Sequence, residues 1–236
     1  MKRLGIISST DLEKSKTFKN LEKRIMENEF GKAMVLVSDT VAYILRHGGD
    51  PEHHILPHLV NHRANLKALK NLGVEEVIST NSTGSLKRHL KPGMFVVPDD
   101  FIVLSRGPTI FDTKPVHITP ILSEDVRRRW IEAANGCGID VINGGVYWQT
   151  AGPRLETVAE IKMMSMFADL VGMTMGSEAV IARELDLRYA SLCSVDNYGH
   201  GLVEKPLTMK EILNGGHRHA EAIVRIVTKY IERRKA

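Results

Sequence analysis

Short apolar runs alternate with amphipathic helical stretches along nearly the whole chain, and this alternation restricts the fold more than any other feature. Leu4–Ser8 and residues 34–37, 74–80, 170–174 and 189–195 are too short for helices and read as strands. Residues 61–72 carry Ala64, Ala68, Leu69 and Leu72 at helical spacing, with Gly73 as the stop. Residues 123–134 and 177–185 read as further helices. Residues 94–104 read as a strand interrupted by Pro98, and 141–150 as a strand with glycines in it. Thr157-Val158-Ala159-Glu160 is a capping box opening a helix to about Phe167. Thr208-Met209-Lys210-Glu211 is a second, opening the last helix, which has a weak point at Gly215-Gly216. The expected fold is α/β: a single domain over residues 1–236, with a mixed twisted central sheet flanked by helices.

In such sheets ligands gather where strands end and loops begin. That directs attention to residues 8–11, 81–85, 150–157, 173–178 and 194–201. Composition narrows the partners. The formal charge of +4 would suit nucleic acid, but basic residues are interspersed with acids, as at Arg127-Arg128-Arg129 beside Glu124-Asp125. Arg233-Arg234-Lys235 closes a helix, where cations complement the dipole. The pattern reads as a solvated surface with no nucleic-acid partner, and its sign suits an anionic small substrate. No apolar run approaches the roughly 20 residues of a membrane span, and Leu4 to Ile7 is too short for a signal sequence, so a cytoplasmic protein without a membrane partner is expected. Cys137 and Cys193 read as buried reduced thiols. No metal is expected, because His53-His54 and His217-Arg218-His219 have no third ligand suitably placed.

Several strand-end segments carry anion-binding chemistry. Ser8-Ser9-Thr10 and Asn81-Ser82-Thr83-Gly84-Ser85 offer hydroxyl and backbone N–H donors, and Arg46-His47-Gly48-Gly49 adds a guanidinium able to grip phosphate bidentately. Together the motifs indicate a family. Arg46-His47-Gly48 followed by Leu56-Pro57-His58-Leu59-Val60-Asn61-His62-Arg63-Ala64-Asn65 resembles the methylthioadenosine phosphorylase signature. Thr83-Gly84-Ser85-Leu86 and Lys91-Pro92-Gly93 follow at the family's spacing. The run from Tyr147 through Ala151-Gly152-Pro153-Arg154-Leu155-Glu156-Thr157 resembles a segment of trimeric purine nucleoside phosphorylases, as does Gly172-Met173-Thr174-Met175-Gly176-Ser177-Glu178-Ala179. The resemblance covers nearly the whole chain.

That resemblance implies residue roles. Thr10, Arg46, His47 and Thr174 fall where the family binds phosphate, and Asn81 stands in place of a usual phosphate-contacting threonine. Met173 falls where ribose and base are lined, Leu155 and Glu156 in the base-contact segment, and Asp196 at the residue that meets the purine near N7 and position 6. Tyr198 stands where adenosine-type relatives have a second aspartate. His117 falls where a neighbouring subunit covers the 5′ end of the nucleoside, and a homotrimer is implied. The family needs no cofactor; inorganic phosphate is a co-substrate. Ser8-Ser9-Thr10 departs from the family's Gly-Gly-Thr, and Met175-Gly176-Ser177 from its Thr-Val-Pro.

Phosphorolysis builds positive charge on the ribose ring and negative charge on the purine, so it needs a phosphate cradle, a sugar clamp and a polar group at N7. Asp196 is the candidate for the last and must be protonated, or supported by water, to donate there. Glu156 suits a 6-oxopurine, whose N1–H it accepts; Asp196 is the adenosine-type choice. The expectation is a purine nucleoside phosphorylase acting on inosine, guanosine or 5′-methylthioinosine. A methylthioadenosine phosphorylase, a hydrolytic nucleosidase and a non-catalytic nucleoside-binding protein are the alternatives.

Overall fold

The computed structural model describes residues 2–9, 12, 18–50, 52–204 and 209–235, with backbone alone at 209–218 and 235. Its strands are β1 (Leu4–Ser8), β2 (Glu22–Asn28), β3 (Gly31–Val37), β4 (Val41–Leu45), β5 (Glu76–Ser85), β6 (Phe95–Val97), β7 (Asp100–Val103), β8 (Val141–Asn143), β9 (Val146–Gln149), β10 (Leu170–Gly172) and β11 (Arg188–Tyr198). The helices are α1 (His62–Asn71), α2 (Glu124–Asn135), α3 (Val158–Met164), α4 (Met175–Glu184) and α5 (Met209–Lys235). All described strands join one mixed sheet, ordered β2-β3-β4-β1-β5-β10-β9-β7, with β11 also pairing β5 and extending through β6 to β8.

The parallel set β4-β1-β5-β11 forms the centre. Successive side chains of its strands are buried on opposite faces. Ile6, Ile78, Ala190 and Leu192 face a core shared with Val126 and Trp130 of α2 and with Ile223, Ile226 and Val227 of α5. Ile7, Val77, Tyr189 and Cys193 face the opposite core, with Leu66 and Leu69 of α1 and Ala179 and Ala182 of α4. This period of two is what buries a sheet on both sides. Each fully buried Leu or Ile side chain contributes about 1.5–3 kcal/mol before chain entropy is counted.

Local chemistry sets the boundaries. Asn61 caps α1 through its side chain, which accepts from the Ala64 N–H. The capping box at the start of α3 is complete, with Thr157 and Glu160 bonded to each other's backbone N–H groups. The expected strand across Pro98 is two strands, β6 and β7, and the strand across Gly144-Gly145 is also two. Both glycines have positive φ, 103° and 122°, which lets the chain turn between β8 and β9.

Several expectations change. Strands β2 and β4 were not anticipated, and residues 81–85 lie inside β5 instead of in a loop after it. Helix α3 stops at Met164. Arg127, expected on a solvated surface, is buried and donates to the carbonyls of Pro98 and Val97 and to Asn143. Cys193 is buried as expected, whereas Cys137 is only partly so; both are free thiols. Thr208 of the second capping box lies outside the described residues.

Candidate active site

The central parallel strands deliver their C-terminal ends to one edge, and the polar side chains collect there. Arg46 follows β4 directly, and its N–H is held by the carbonyl of Ser8 at the end of β1, 3.0 Å away. The whole residue is 2% exposed. Nε donates to Glu178 Oε1 at 2.5 Å, Nη2 to Glu178 Oε2 at 3.2 Å and Nη1 to the Thr80 carbonyl at 3.0 Å. Burial opposes the charge on Arg46, but the adjacent Glu178 carboxylate outweighs it and raises the pKa. Glu178 also accepts from the Tyr189 hydroxyl at 2.8 Å, and that oxygen lies 2.6 Å from Ser79 Oγ.

Strand β10 runs antiparallel to β5 and brings the chain back along it. The hydroxyl of Thr174, at the N-cap of α4, therefore reaches Asn81 and donates to its Oδ1 at 2.8 Å. The two amide hydrogens of Asn81 go to Ser79 Oγ at 3.0 Å and Ser191 Oγ at 2.7 Å. Asn81 is thus committed to protein partners on all sides. The N–H groups of Thr174 and Met175 point to the Tyr147 hydroxyl, 3.2 and 3.4 Å away. Arg46, Asn81, Thr174 and the N-terminus of α4 belong to one hydrogen-bonded cluster, in which Glu178 already pairs the charge of Arg46.

His47 and His62 flank this cluster. The Nδ1 of His47 lies 2.7 Å from the Ile55 carbonyl, which can only accept, so Nδ1 carries the hydrogen. Burial first, then the nearby Arg46, push its pKa down to about 4. A neutral His47 with its hydrogen on Nδ1 has Nε2 as an acceptor. His62 sits 3.9 Å from Glu178 and is likewise pushed down to about 4, mainly by burial.

A second polar group lies on β11. The β5–β11 register shifts between Val195 and Asn197, so Asp196 is the bulged residue. Bulges re-aim side chains beside sites. Asp196 is 4% exposed; the Ser82 hydroxyl donates to its Oδ2, and His219 Nε2 of α5 lies 3.5 Å from its Oδ1.

The remaining expected residues are more dispersed. Glu156 Oε1 accepts from the Thr150 hydroxyl at 2.7 Å, just beyond β9, and Leu155 beside it is 41% exposed. Met173 packs on Gly152, where a Cβ would meet its sulfur at 2.5 Å. Tyr198 donates its hydroxyl to the Arg88 carbonyl at 3.2 Å. His117 is exposed in the stretch between β7 and α2, and among the described residues it makes no hydrogen bond to this cluster. Thr10 lies outside the described residues.

The sequence alone gives no role to Glu178, His62, Tyr189 or His219, and offers Ser82 only as an anion donor where the structure pairs it with Asp196. Glu178 and His62 lie within recognised motifs, and the signal available was a charged or titratable residue on an otherwise apolar helix face. His219 was weighed only as half of a zinc pair.

The model of the phosphorylase superfamily matches residues 3–232. The chain is 40% identical over 235 residues to a protein of Archaeoglobus fulgidus named probable 6-oxopurine nucleoside phosphorylase, covering 98% of this chain and 96% of that one. It is 43% identical over 218 residues to a probable S-methyl-5′-thioinosine phosphorylase of Methanothermobacter thermautotrophicus, covering 89% and 76%. A solved methylthioadenosine phosphorylase of Schistosoma mansoni in complex with adenine superposes with a TM-score of 0.88 at 28% identity, covering 98% of this chain and 91% of that one. With sequence and fold matched from end to end, the chain belongs to the phosphorylase superfamily, in the branch that holds these purine and methylthionucleoside phosphorylases.

Proposed function

We propose that this chain is a pentosyltransferase that cleaves purine nucleosides with phosphate, giving free purine and ribose 1-phosphate, and that it prefers 6-oxopurines. The observation that carries the reading is the match to named 6-oxopurine and methylthioinosine phosphorylases over most of the chain, combined with a buried anion-type cluster at the sheet edge. The N-terminus of α4, Arg46, His47 and Thr174 supply the phosphate cradle. Asn81 acts through Thr174, whose hydroxyl it accepts. Thr10 completes the cradle on the strength of the sequence resemblance. Met173 and Leu155 line the sugar and base, with Tyr198 at the margin. Asp196 stabilises negative charge at N7.

Glu156 supports the 6-oxopurine preference. An ionised carboxylate accepts the N1–H of inosine or guanosine and repels the bare N1 of adenine. Homotrimeric assembly, with His117 reaching a neighbour's site, is part of the same reading, as are a cytoplasmic location, a role in purine salvage and the absence of any cofactor beyond phosphate. Among the described residues no helix is long and apolar enough to cross a membrane.

The test is product analysis with inosine, adenosine and their 5′-methylthio forms, with and without phosphate. Purine release only with phosphate, fastest for a 6-oxopurine by about tenfold or more, is expected. Equal release without phosphate would make the protein a hydrolase. A preference for methylthioadenosine would remove the role of Glu156 alone. Analytical ultracentrifugation tests the trimer, which a fully active monomer would exclude.

A further inference from the structure

His219 was not part of any expected site, yet it is buried against the group proposed to meet the leaving purine. Its ring is 4% exposed and packs edge-on against Phe95, with centroids 5.2 Å apart. Its Nε2 faces Asp196 Oδ1 at 3.5 Å, while the other Asp196 oxygen takes the hydroxyl of Ser82. Cys193, on the same strand as Asp196 but facing the opposite core, is fully buried; burial holds its thiol protonated, with its pKa pushed up to about 12.

Asp196 alone is a poor proton donor, because a carboxyl group ordinarily loses its proton well below neutral pH. A buried imidazole beside it changes the proton count. With one proton on the pair, the net charge is zero whether it is written as imidazolium and carboxylate or as imidazole and carboxylic acid; these are two forms of one protonation state. Removing or adding a proton leaves a net charge in a site closed to water, which burial disfavours. We propose that His219 and Asp196 share one proton and that the pair delivers it to N7 of the leaving purine, His219 acting as a positioning residue through Asp196. The inference rests on the phosphorolysis reading above. The C1′–N9 electron pair leaves with the purine, a phosphate oxygen bonds to C1′, and the proton passes from Asp196 to N7. The pair is left as carboxylate and neutral imidazole and is reloaded from solvent.

The experiment compares wild type with His219→Asn and His219→Gln on an ordinary purine nucleoside and on its 7-methyl counterpart. The 7-methyl base already carries positive charge and departs without a proton at N7. His219→Asn is expected to lose about 100-fold in kcat on the ordinary nucleoside, in the range of general acid catalysis, and less than about threefold on the 7-methyl form. The kcat–pH profile on the ordinary nucleoside should lose its alkaline limb in the variant. Equal losses on both substrates, or an unchanged pH profile, would overturn the shared proton and leave His219 a packing residue. If wild type does not turn over the 7-methyl form, the pH profile alone decides. Absence of phosphate-dependent turnover in wild type would instead reject the phosphorolysis reading, so the two failures are distinguishable.

Discussion

Glu178 grips Arg46 with both carboxylate oxygens in a volume closed to solvent, the two side chains being 0% and 1% exposed. Such a pair owes its stability to its completeness, since each charge alone would be stranded away from water. Glu178→Gln should therefore cost about 3–5 kcal/mol in urea unfolding. Arg46→Ala combined with Glu178→Ala should cost less than the sum of the single changes, because the double variant leaves no lone charge. In kinetics, Arg46→Ala should raise the KM for phosphate about 100-fold, while base discrimination changes little. Unchanged phosphate dependence would take Arg46 out of the cradle.

Asn81 gives a sharper test of the cradle, because its substitution by Asp is nearly isosteric. Thr174 can still donate to the new carboxylate, but the Ser79 and Ser191 hydroxyls already donate, to Tyr189 and to the Ser79 carbonyl, and would have to give up those bonds to do the same. The buried carboxylate should cost some stability, as a stranded charge does, and a negative charge would stand one hydrogen bond from Thr174. Asn81→Asp should raise the KM for phosphate at least about tenfold, an effect that a like charge a few ångströms away readily supplies. A variant with normal phosphate affinity would place the anion elsewhere.

The two depressed histidines predict the acid limb of stability. His47 and His62 have folded-state pKa values near 4, below the ordinary 6.5, so the unfolded chain binds more protons across that window. Their contribution is fully present above pH 6.5 and is lost as the pH falls toward 4. Each imidazole accounts for up to about 1.4 kcal/mol per pH unit in that interval. Denaturant unfolding from pH 7 to 4.5 should show a steep loss for wild type. His62→Phe, of similar volume, should show a slope shallower by about one proton. Parallel slopes would mean that His62 already carries a proton in the folded state.

Much of this architecture was legible in the sequence. The alternation of apolar runs and helices and the capping box at Thr157 appear where local chemistry put them. The failures share a physical cause. Residues 81–85 are polar and look like a loop, yet they extend β5 because β11 pairs alongside through Tyr198 and satisfies their backbone, while their side chains bond partners outside the segment, Asn81 to Ser79 and Ser191, Ser82 to Asp196 and Thr83 to the Ser194 carbonyl. Strand β2, with its charged and mostly exposed Glu22–Asn28, is visible only through its pairing with β3. The partners of Arg46 and Asp196 come from α4 and α5, far away in sequence, and no local signal reports which titratable groups the fold will bury together.

Tyr147 links core packing to the proposed phosphate cradle, and Gly172 tests it. The buried Tyr147 hydroxyl accepts from the N–H groups of Thr174 and Met175, fixing the turn that leads into α4. Gly172 lies directly against that hydroxyl: a Cβ there would overlap the Tyr147 oxygen and come within 2.9 Å of its Cζ. Its φ is not in the left-handed region, so an alanine would suffer from crowding and not from backbone strain. Gly172→Ala should cost about 1–3 kcal/mol by overpacking. It should also raise the KM for phosphate, because the displaced hydroxyl no longer holds Thr174. Tyr147→Phe removes the oxygen that clashes. Combined with Gly172→Ala, it should recover part of the lost stability but not the phosphate affinity, since the N–H groups of Thr174 and Met175 remain without their acceptor. Thermal unfolding and phosphate saturation curves on the two single variants and the double variant separate the effects. If the double variant recovers both together, Tyr147 merely fills space and its hydroxyl does not order the turn.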